Sequence, residues 1–272
     1  MSLPVFLAAP AELAAATHTI CLTGAEAKHA ATVRRVRVGE HIDVADGQGN
    51  RVRGEVTSVD RQTVCVRITA RGTDRRHGPC LTLVQALAKG GRDEQAVETA
   101  TELGVEQIVP WQAQRSVSVW ADGPKSRKGV ARWQAIAQSA AKQARRALVP
   151  QVTQARGHRP LGEWIRAVVD ARGAVILLHE EATAPLADIE LPSWDGHGPR
   201  PTLAVVVGPE GGIGATETAD LVAAGAQLAR LGPHVLRTSS AGPAALAVLG
   251  QKLGLWAGGT DTMDLQPADM KE

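Results

Sequence analysis

Leu203–Glu217 reads LAVVVGPEGGIGATE, and Leu231–Ala241 follows as LGPHVLRTSSA. Leu203–Val207 is an apolar, β-branched run of strand length. Gly208, Gly211 and Gly212 break it at once, and Thr216 then gives a helix-start signal. The order is strand, tight loop, helix. A buried parallel strand ending in a glycine-rich turn brings bare backbone to the carboxyl edge of an open sheet, where α/β proteins hold ligands. A plain βα turn would carry the same glycines, but Pro209 stiffens this loop and Glu210 adds a charge. The loop lacks G-x-G-x-x-G spacing, so it is not a dinucleotide fingerprint, and it is not a P-loop.

Working outward, the 272 residues can bury a substantial core and divide most naturally into two domains. Thirty Lys and Arg against 28 Asp and Glu leave the chain close to neutral, so any nucleic-acid surface must come from local clustering. Cys21, Cys65 and Cys80 show no C-x-x-C spacing, so neither a disulfide framework, a zinc site nor any other metal centre is expected. A reducing cytoplasm fits this usage. No apolar run approaches the roughly twenty residues of a membrane helix, and no secretory leader is visible, so a soluble, cytoplasmic protein with no membrane partner is expected. Tyr is absent and Phe occurs once, which argues against an RNA reader built on stacked aromatics.

From Val5 to about Thr69 short alternating segments are cut by turns: His41–Val44, Arg51–Val59 and Thr63–Ile68 read as strands. Asp46-Gly47 between two such runs signals a hairpin, because glycine supplies the positive φ these turns need. A small β-barrel is expected, interrupted by one helix over Ala25–Val36. Arg34, Arg35 and Arg37 crowd the exit of that helix, and the residues alone allow either a solvated face or an edge that contacts phosphates.

Arg71–Pro79 is charged, aperiodic and rich in glycine, and reads as a linker. Leu81–Leu87 reads as a strand, Asp93–Leu103 as a helix stopped by Gly104, and Val105–Val109 as the next strand. This βαβ unit predicts a parallel sheet. A long helix is expected over Arg127–Ala147, with Trp133, Ile136, Ala137, Ala140, Ala141 and Ala144 at helical spacing. Its small apolar face suits close packing. Leu161–Ala171 reads as an amphipathic helix. Ala174–Leu178 reads as a strand running into His179 and Glu180, and Leu186–Pro201 as a mobile loop. His179 has no carboxylate at fixed spacing and reads as a structural histidine. Ala215–Ala226 is expected as helix, Leu228–Leu231 as strand, Val235–Thr238 as a short run, and Pro243–Leu255 as the final helix.

GPEGG after an apolar strand, LGPHVLRT about twenty residues on, the DGQG at Asp46, the TELG at Glu102 and the KQARRALVP around Arg146 resemble one family along nearly the whole chain. It is the 16S ribosomal RNA uracil-N3 methyltransferases of the knotted SPOUT superfamily. The resemblance implies an α/β chain in which a PUA-like RNA-binding β-barrel (1–72) and a linker (73–80) precede a trefoil-knotted α/β methyltransferase domain (81–260), with a disordered tail (261–272). It implies S-adenosyl-L-methionine held by Leu178, His179, Glu180, Gly208, Pro209, Glu210, Gly211, Gly212, Leu231, Gly232, Leu236, Arg237, Thr238 and Ala241. It favours phosphate contact for Arg34, Arg35 and Arg37, joined on the RNA side by Lys89 and Arg115. The implied partners are 16S ribosomal RNA or the small ribosomal subunit, and a second copy of the chain, with no DNA.

Methyl transfer from a sulfonium needs chiefly an aligned, electron-rich acceptor. Uracil N3 carries a proton, so an arginine that stabilises the uracilate or a carboxylate that takes the proton would help. Arg146 and Glu210 are the candidates for these roles, the resemblance implying a substrate-side place for Arg146; Glu210 also reads as a charge favouring the helix after its loop. The sequence departs from the family at Lys142, where a glutamate is expected, and at Ser239-Ser240-Ala241, where Glu-Thr-Ala is commoner. Two other function classes stay open: an RNA-binding module with a degenerate cofactor pocket, and a nucleotide-dependent oxidoreductase, which lacks its glycine fingerprint here.

Overall fold

A computed structural model describes residues 3–74, 77–120, 123–256 and 266–267. The chain divides into two compact units: Met1–Arg76 with Gln138–Val149 and Gly259–Glu272, and His77–Ala137 with Pro150–Gly258. Of the tail expected over 261–272, all but Gln266 and Pro267 lies outside the described residues. Among the described residues no helix is long and apolar enough to cross a membrane.

The first unit contains β1 (Val5–Leu7), α1 (Pro10–Ala15), β2 (Thr19–Thr23), α2 (Gly24–Lys28), β3 (His41–Ala45), β4 (Asn50–Val59) and β5 (Thr63–Thr73). The strands run β1-β3-β4-β5, with β2 also on β5 and a two-residue strand, Gln266–Pro267, beyond it. Every pairing is antiparallel except β1 with β3. Alternate residues point inward, so Phe6, Leu22, Ile42, Val56 and Val66 close one core. The hairpin at Asp46 forms as expected: Gly47 has φ 75°, and Asp46 Oδ1 accepts from the Gln48 and Asn50 N–H groups at 2.7 and 3.0 Å. Register shifts after Arg53 and Val56 bend β4 against β5. A Cβ on Gly54 would lie 2.3 Å from the Arg67 carbonyl oxygen, so this bend needs glycine.

Two expectations fail here. The helix over Ala25–Val36 is not one α-helix: α2 gives way to a π-helical segment, His29–Arg34, closed by Arg35 at φ 53° with the Val36 N–H on the Ala30 carbonyl. The wider π turn takes an extra residue and shifts the arginines from their α-helical positions. The cysteines also depart from expectation, because Cys21 and Cys65 face each other across β2 and β5 with Cα atoms 4.0 Å apart and are joined as a disulfide. Strand register creates this pair, and a separation of 44 residues conceals it.

The second unit contains β6 (Cys80–Ala86), α3 (Arg92–Glu102), β7 (Gln107–Trp111), β8 (Gln151–Val152), α5 (His158–Asp170), β9 (Ala174–Leu178), β10 (Thr202–Val207), α6 (Ala215–Ala223), β11 (Gln227–Ala229) and α7 (Thr238–Lys252). Between β7 and β8 runs α4 (Pro124–Gln143), whose residues from 138 group with the first unit. The six strands are all parallel, in the order β11-β9-β10-β6-β7-β8. Neighbouring residues of each strand serve opposite faces. Leu83, Val205 and Ile176 join Val97, Leu246 and Leu249 on one side, and Val84, Val206 and Val175 join Ile165 and Leu221 on the other. Burial on both faces is why these strands read as unbroken apolar runs.

Boundaries moved where a local signal misled. The last helix starts at Thr238, five residues before Pro243, which it absorbs as a buried residue. Its neighbour Gly242 lies so close to the sheet that a Cβ would meet Leu83 Cδ1 at 2.7 Å. Residues 235–237 form no strand. Helix α4 ends at Gln143, not Ala147, because Arg145 takes the left-handed conformation (φ 59°). The Arg145 and Arg146 N–H groups then bond the Lys142 and Ala141 carbonyls, a Schellman closure. The stretch 186–201 is tied down at several points. Leu186 and Ile189 are buried, and Lys252 Nζ donates to the Ala187 and Ile189 carbonyls at 2.6 Å. Arg200 pairs with both Glu106 oxygens at 2.7 Å.

Candidate active site

Parallel register sets Val206 beside Leu177 and Val84, and Leu177 beside Leu228. The loops after β9, β10, β11 and β6 therefore leave one sheet edge from four neighbouring strands. Leu178, His179 and Glu180, then Gly208, Pro209, Glu210, Gly211 and Gly212, then Leu231 and Gly232 are brought to this edge together, with Lys89 on the loop after β6. His179 is positioned structurally: its N–H donates to the Ala229 carbonyl at 3.1 Å, and its Nδ1 accepts from the Glu181 N–H at 3.2 Å.

One hydroxyl joins three of these segments. Thr238 Oγ1, in the first turn of α7, donates to the Gly208 carbonyl at 2.8 Å and accepts from Gln85 Nε2 at 2.8 Å. Gln85 also donates to the Ala86 carbonyl at 3.2 Å, and it is fully buried. The remaining residues expected to hold cofactor, Leu236, Arg237 and Ala241, flank Thr238: Arg237 is the N-cap of α7, and its carbonyl accepts from the Ala241 N–H at 3.0 Å. Gln85 escaped the sequence reading. The signal was present, since one amide inside the apolar strand LTLVQAL needs a buried partner.

The GPEGG loop is shaped by its own backbone. The Gly212 N–H donates to the Pro209 carbonyl at 2.9 Å, and Gly212 has φ 70°. A Cβ on Gly212 would meet only Arg115 Nη1, at 3.9 Å, so this glycine is required by conformation and not by crowding. Arg115 is placed against the loop, donating from Nη1 to the Gly211 carbonyl at 3.2 Å. The preceding residue is fixed by a second group the sequence reading missed: Glu217, fully buried on α6, accepts the Gln114 N–H at 3.1 Å.

Glu210 Oε1 accepts from Arg92 Nη1 at 2.8 Å and from the Lys89 N–H at 3.1 Å, tying the GPEGG loop to the head of α3. Partial burial by itself would raise the carboxyl. The hydrogen bonds from its own backbone, Arg92 and Lys89 outweigh that and hold it below the ordinary carboxylate range. Glu210 is therefore an ionised, paired group.

The other expected residues belong to the first unit. Arg34, Arg35 and Arg37 are exposed, alongside Val33 and Val38, which are 68% and 63% exposed. Arg146 is half-buried, within the Schellman closure that ends α4. Lys142, the departure from the family pattern, has its own partner: Nζ donates to both Glu26 oxygens at 2.6 and 2.9 Å and lies 3.3 Å from His29 Nδ1. Burial, with the Lys142 charge, holds His29 below its usual range.

Two family models match the chain, an RNA methyltransferase PUA domain over residues 22–69 and an RNA methyltransferase domain over residues 76–250. Ribosomal RNA small subunit methyltransferase E of Mycobacterium bovis is 43% identical over 86% of this chain and 86% of its own length. The protein of the same name from Bacillus subtilis is 30% identical over 88% of this chain and 93% of its own. The crystal structure of ribosomal RNA small subunit methyltransferase E from Neisseria gonorrhoeae bound to S-adenosyl methionine has 27% identity. It superposes with a TM-score of 0.78 over 92% of this chain and 98% of that one. A methyltransferase from Legionella pneumophila in complex with the bound cofactor SAM has 25% identity and a TM-score of 0.74, over 93% and 98% of the two chains. The PUA-plus-α/β methyltransferase architecture expected from the motifs is thus the one found. On the family model spanning residues 76–250 and the 43% identical relative, the chain belongs to the RNA methyltransferase family that includes the ribosomal RNA small subunit methyltransferase E proteins.

Proposed function

We propose that this protein methylates N3 of a uridine in 16S ribosomal RNA, using S-adenosyl-L-methionine. The observation that carries this reading is the Gln85–Thr238–Gly208 chain of hydrogen bonds, which locks the loop after β10 to the start of α7 at the edge where the other two loops end. The residues present fit the methyl donor. Glycine backbone is open at Gly232, where a Cβ would meet nothing within 4 Å, and at Gly212, and Val235 and Leu236, which follow Gly232 in the same loop, are exposed, as suits a ligand with both polar and apolar parts. When bound, the sulfonium supplies an electrophilic methyl group.

The chain's own contribution is orientation and charge. Arg146 is assigned to stabilise the uracilate that develops in transfer. Glu210, held by Arg92 and the Lys89 N–H, has the role of fixing the GPEGG loop in place. Residues 1–72 form the RNA-binding barrel, with Arg34, Arg35 and Arg37 on phosphates, and residues 81–260 form the catalytic domain, its chain threaded as a trefoil between Gly208 and Leu246. The working species is a cytoplasmic homodimer.

Calorimetric titration with S-adenosyl-L-methionine tests the reading. One saturable site per chain is expected. Absence of saturable binding would leave the RNA-binding module without catalysis as the correct description.

A further inference from the structure

The same sheet edge holds a cavity beside the loop after β6. It measures about 420 Å³ and opens at the head of α3, where Lys89, Gly90, Gly91, Glu94, Ser118 and Arg132 line it. Gly90 and Gly91 have φ 65° and 75°, and a Cβ on Gly90 would meet nothing within 4 Å, so part of the wall is bare, open backbone. Asp93 belongs to the same lining. It is buried, and its two oxygens accept from the Ala88 N–H at 3.1 Å and the Glu94 N–H at 2.9 Å. Burial pushes its carboxyl up despite those bonds, and its job is to hold the loop. Glu94 differs, being only partly buried and ion-paired with Arg132. The cavity adjoins the GPEGG loop, because the Lys89 N–H donates to Glu210.

We propose that this cavity seats the acceptor uracil and that Glu94 takes the proton from N3. The proposal rests on the uridine-methylating reading above and adds the place and the base. The Watson–Crick edge of uracil presents acceptor, donor, acceptor, and enzymes that modify a base read that edge in a pocket. The cavity supplies cationic donors in Lys89 and Arg132 and an acceptor in Glu94. Cytosine would set an amino group against a cation and leave Glu94 without a proton to accept.

In the step itself the N3 proton passes to the Glu94 carboxylate. The N3 electron pair bonds to the methyl carbon, and the carbon–sulfur bond of the sulfonium donor breaks with its pair kept by sulfur. N3-methyluracil and a neutral thioether result, and Glu94 returns its proton to water. Negative charge spreading onto O2 and O4 meanwhile meets Lys89, Arg132 and the positive end of α3, in addition to the stabilisation assigned to Arg146 above.

The test uses the full-length protein and an RNA carrying 4-thiouridine at the position the wild type methylates. Photocrosslinking should place the adduct on peptides containing residues 88–94 or 117–118, and an adduct confined to other peptides overturns the assignment. In parallel, Glu94→Gln should keep its S-adenosyl-L-methionine affinity within about twofold while kcat at neutral pH drops by about a hundredfold, the usual scale for losing a general base. That deficit should shrink at alkaline pH, where uracil ionises unaided. A wild-type kcat, or a deficit equal at every pH, rejects Glu94 as the base. If the wild type itself methylates no uridine, the function proposed in the previous section fails, which is a distinct result.

Discussion

The Thr238 hydroxyl donates to the Gly208 carbonyl at 2.8 Å while accepting from Gln85 at 2.8 Å. Thr238→Val keeps the shape and removes both bonds, leaving the Gln85 amide buried without this acceptor. A stability loss of about 1–3 kcal/mol follows, and S-adenosyl-L-methionine affinity should fall about tenfold as the loop loses its anchor. Adding Gln85→Leu removes the orphaned amide, so the double variant should recover part of the stability but not the affinity. Thermal melts and calorimetry measure the two. Equal affinity in wild type and Thr238→Val would mean that the hydrogen bond does not position the loop.

The Glu210–Arg92 pair sets a pH dependence of definite sign. Because the folded-state carboxyl lies below its unfolded value, the pair contributes stability above about pH 4.3, and that contribution is lost as pH falls through the folded value. Glu210→Gln should therefore show a flatter loss of stability on acidification than the wild type. Asp93 works in the opposite direction: its raised carboxyl favours the fold at low pH and loses that advantage as pH rises. Carboxyl carbon NMR shifts followed through an acid titration should separate the two residues. A Glu210 midpoint at or above the ordinary glutamate range would contradict the pairing.

Alanine at Arg34, Arg35 and Arg37 together should weaken RNA binding and flatten its salt dependence. Each lost phosphate contact removes about 0.7 from the slope of log K against log salt for single-stranded RNA. A triple variant with the wild-type slope would show that these exposed arginines face only water.

Ala244, half-buried on α7 with Val248 exposed one turn on, is the probe for assembly. Ala140 is not, since it is buried within its own chain and a tryptophan there would test the fold instead. In a two-fold interface a bulky residue is introduced twice. Ala244→Trp should abolish the dimer in light scattering and reduce methylation with it. A fully active monomer would remove the dimer from the account.

Much of the methyltransferase domain was legible because parallel strands buried on both faces leave continuous apolar runs; Ala174–Leu178 was read to the residue. The glycine loop was equally plain. What the sequence concealed depends on the third dimension. Cys21 and Cys65 meet only through strand register, and Gln85 and Thr238 are 153 positions apart. Local rules failed where context overrode them. Pro243 read as a helix start and lies inside α7, and Arg145 closes α4 in a conformation that glycine usually takes. Lys142 looked like a loss, whereas its ion pair with Glu26 gives that departure a structural partner.

The most direct test is mass spectrometry of 16S ribosomal RNA from cells with and without the gene, and of the same RNA after incubation with purified protein and S-adenosyl-L-methionine. A single N3-methyluridine should be present in the first, absent in the second, and restored in vitro by the wild type. An unchanged nucleotide profile on deletion, or methylation at a base atom other than uracil N3, would contradict it.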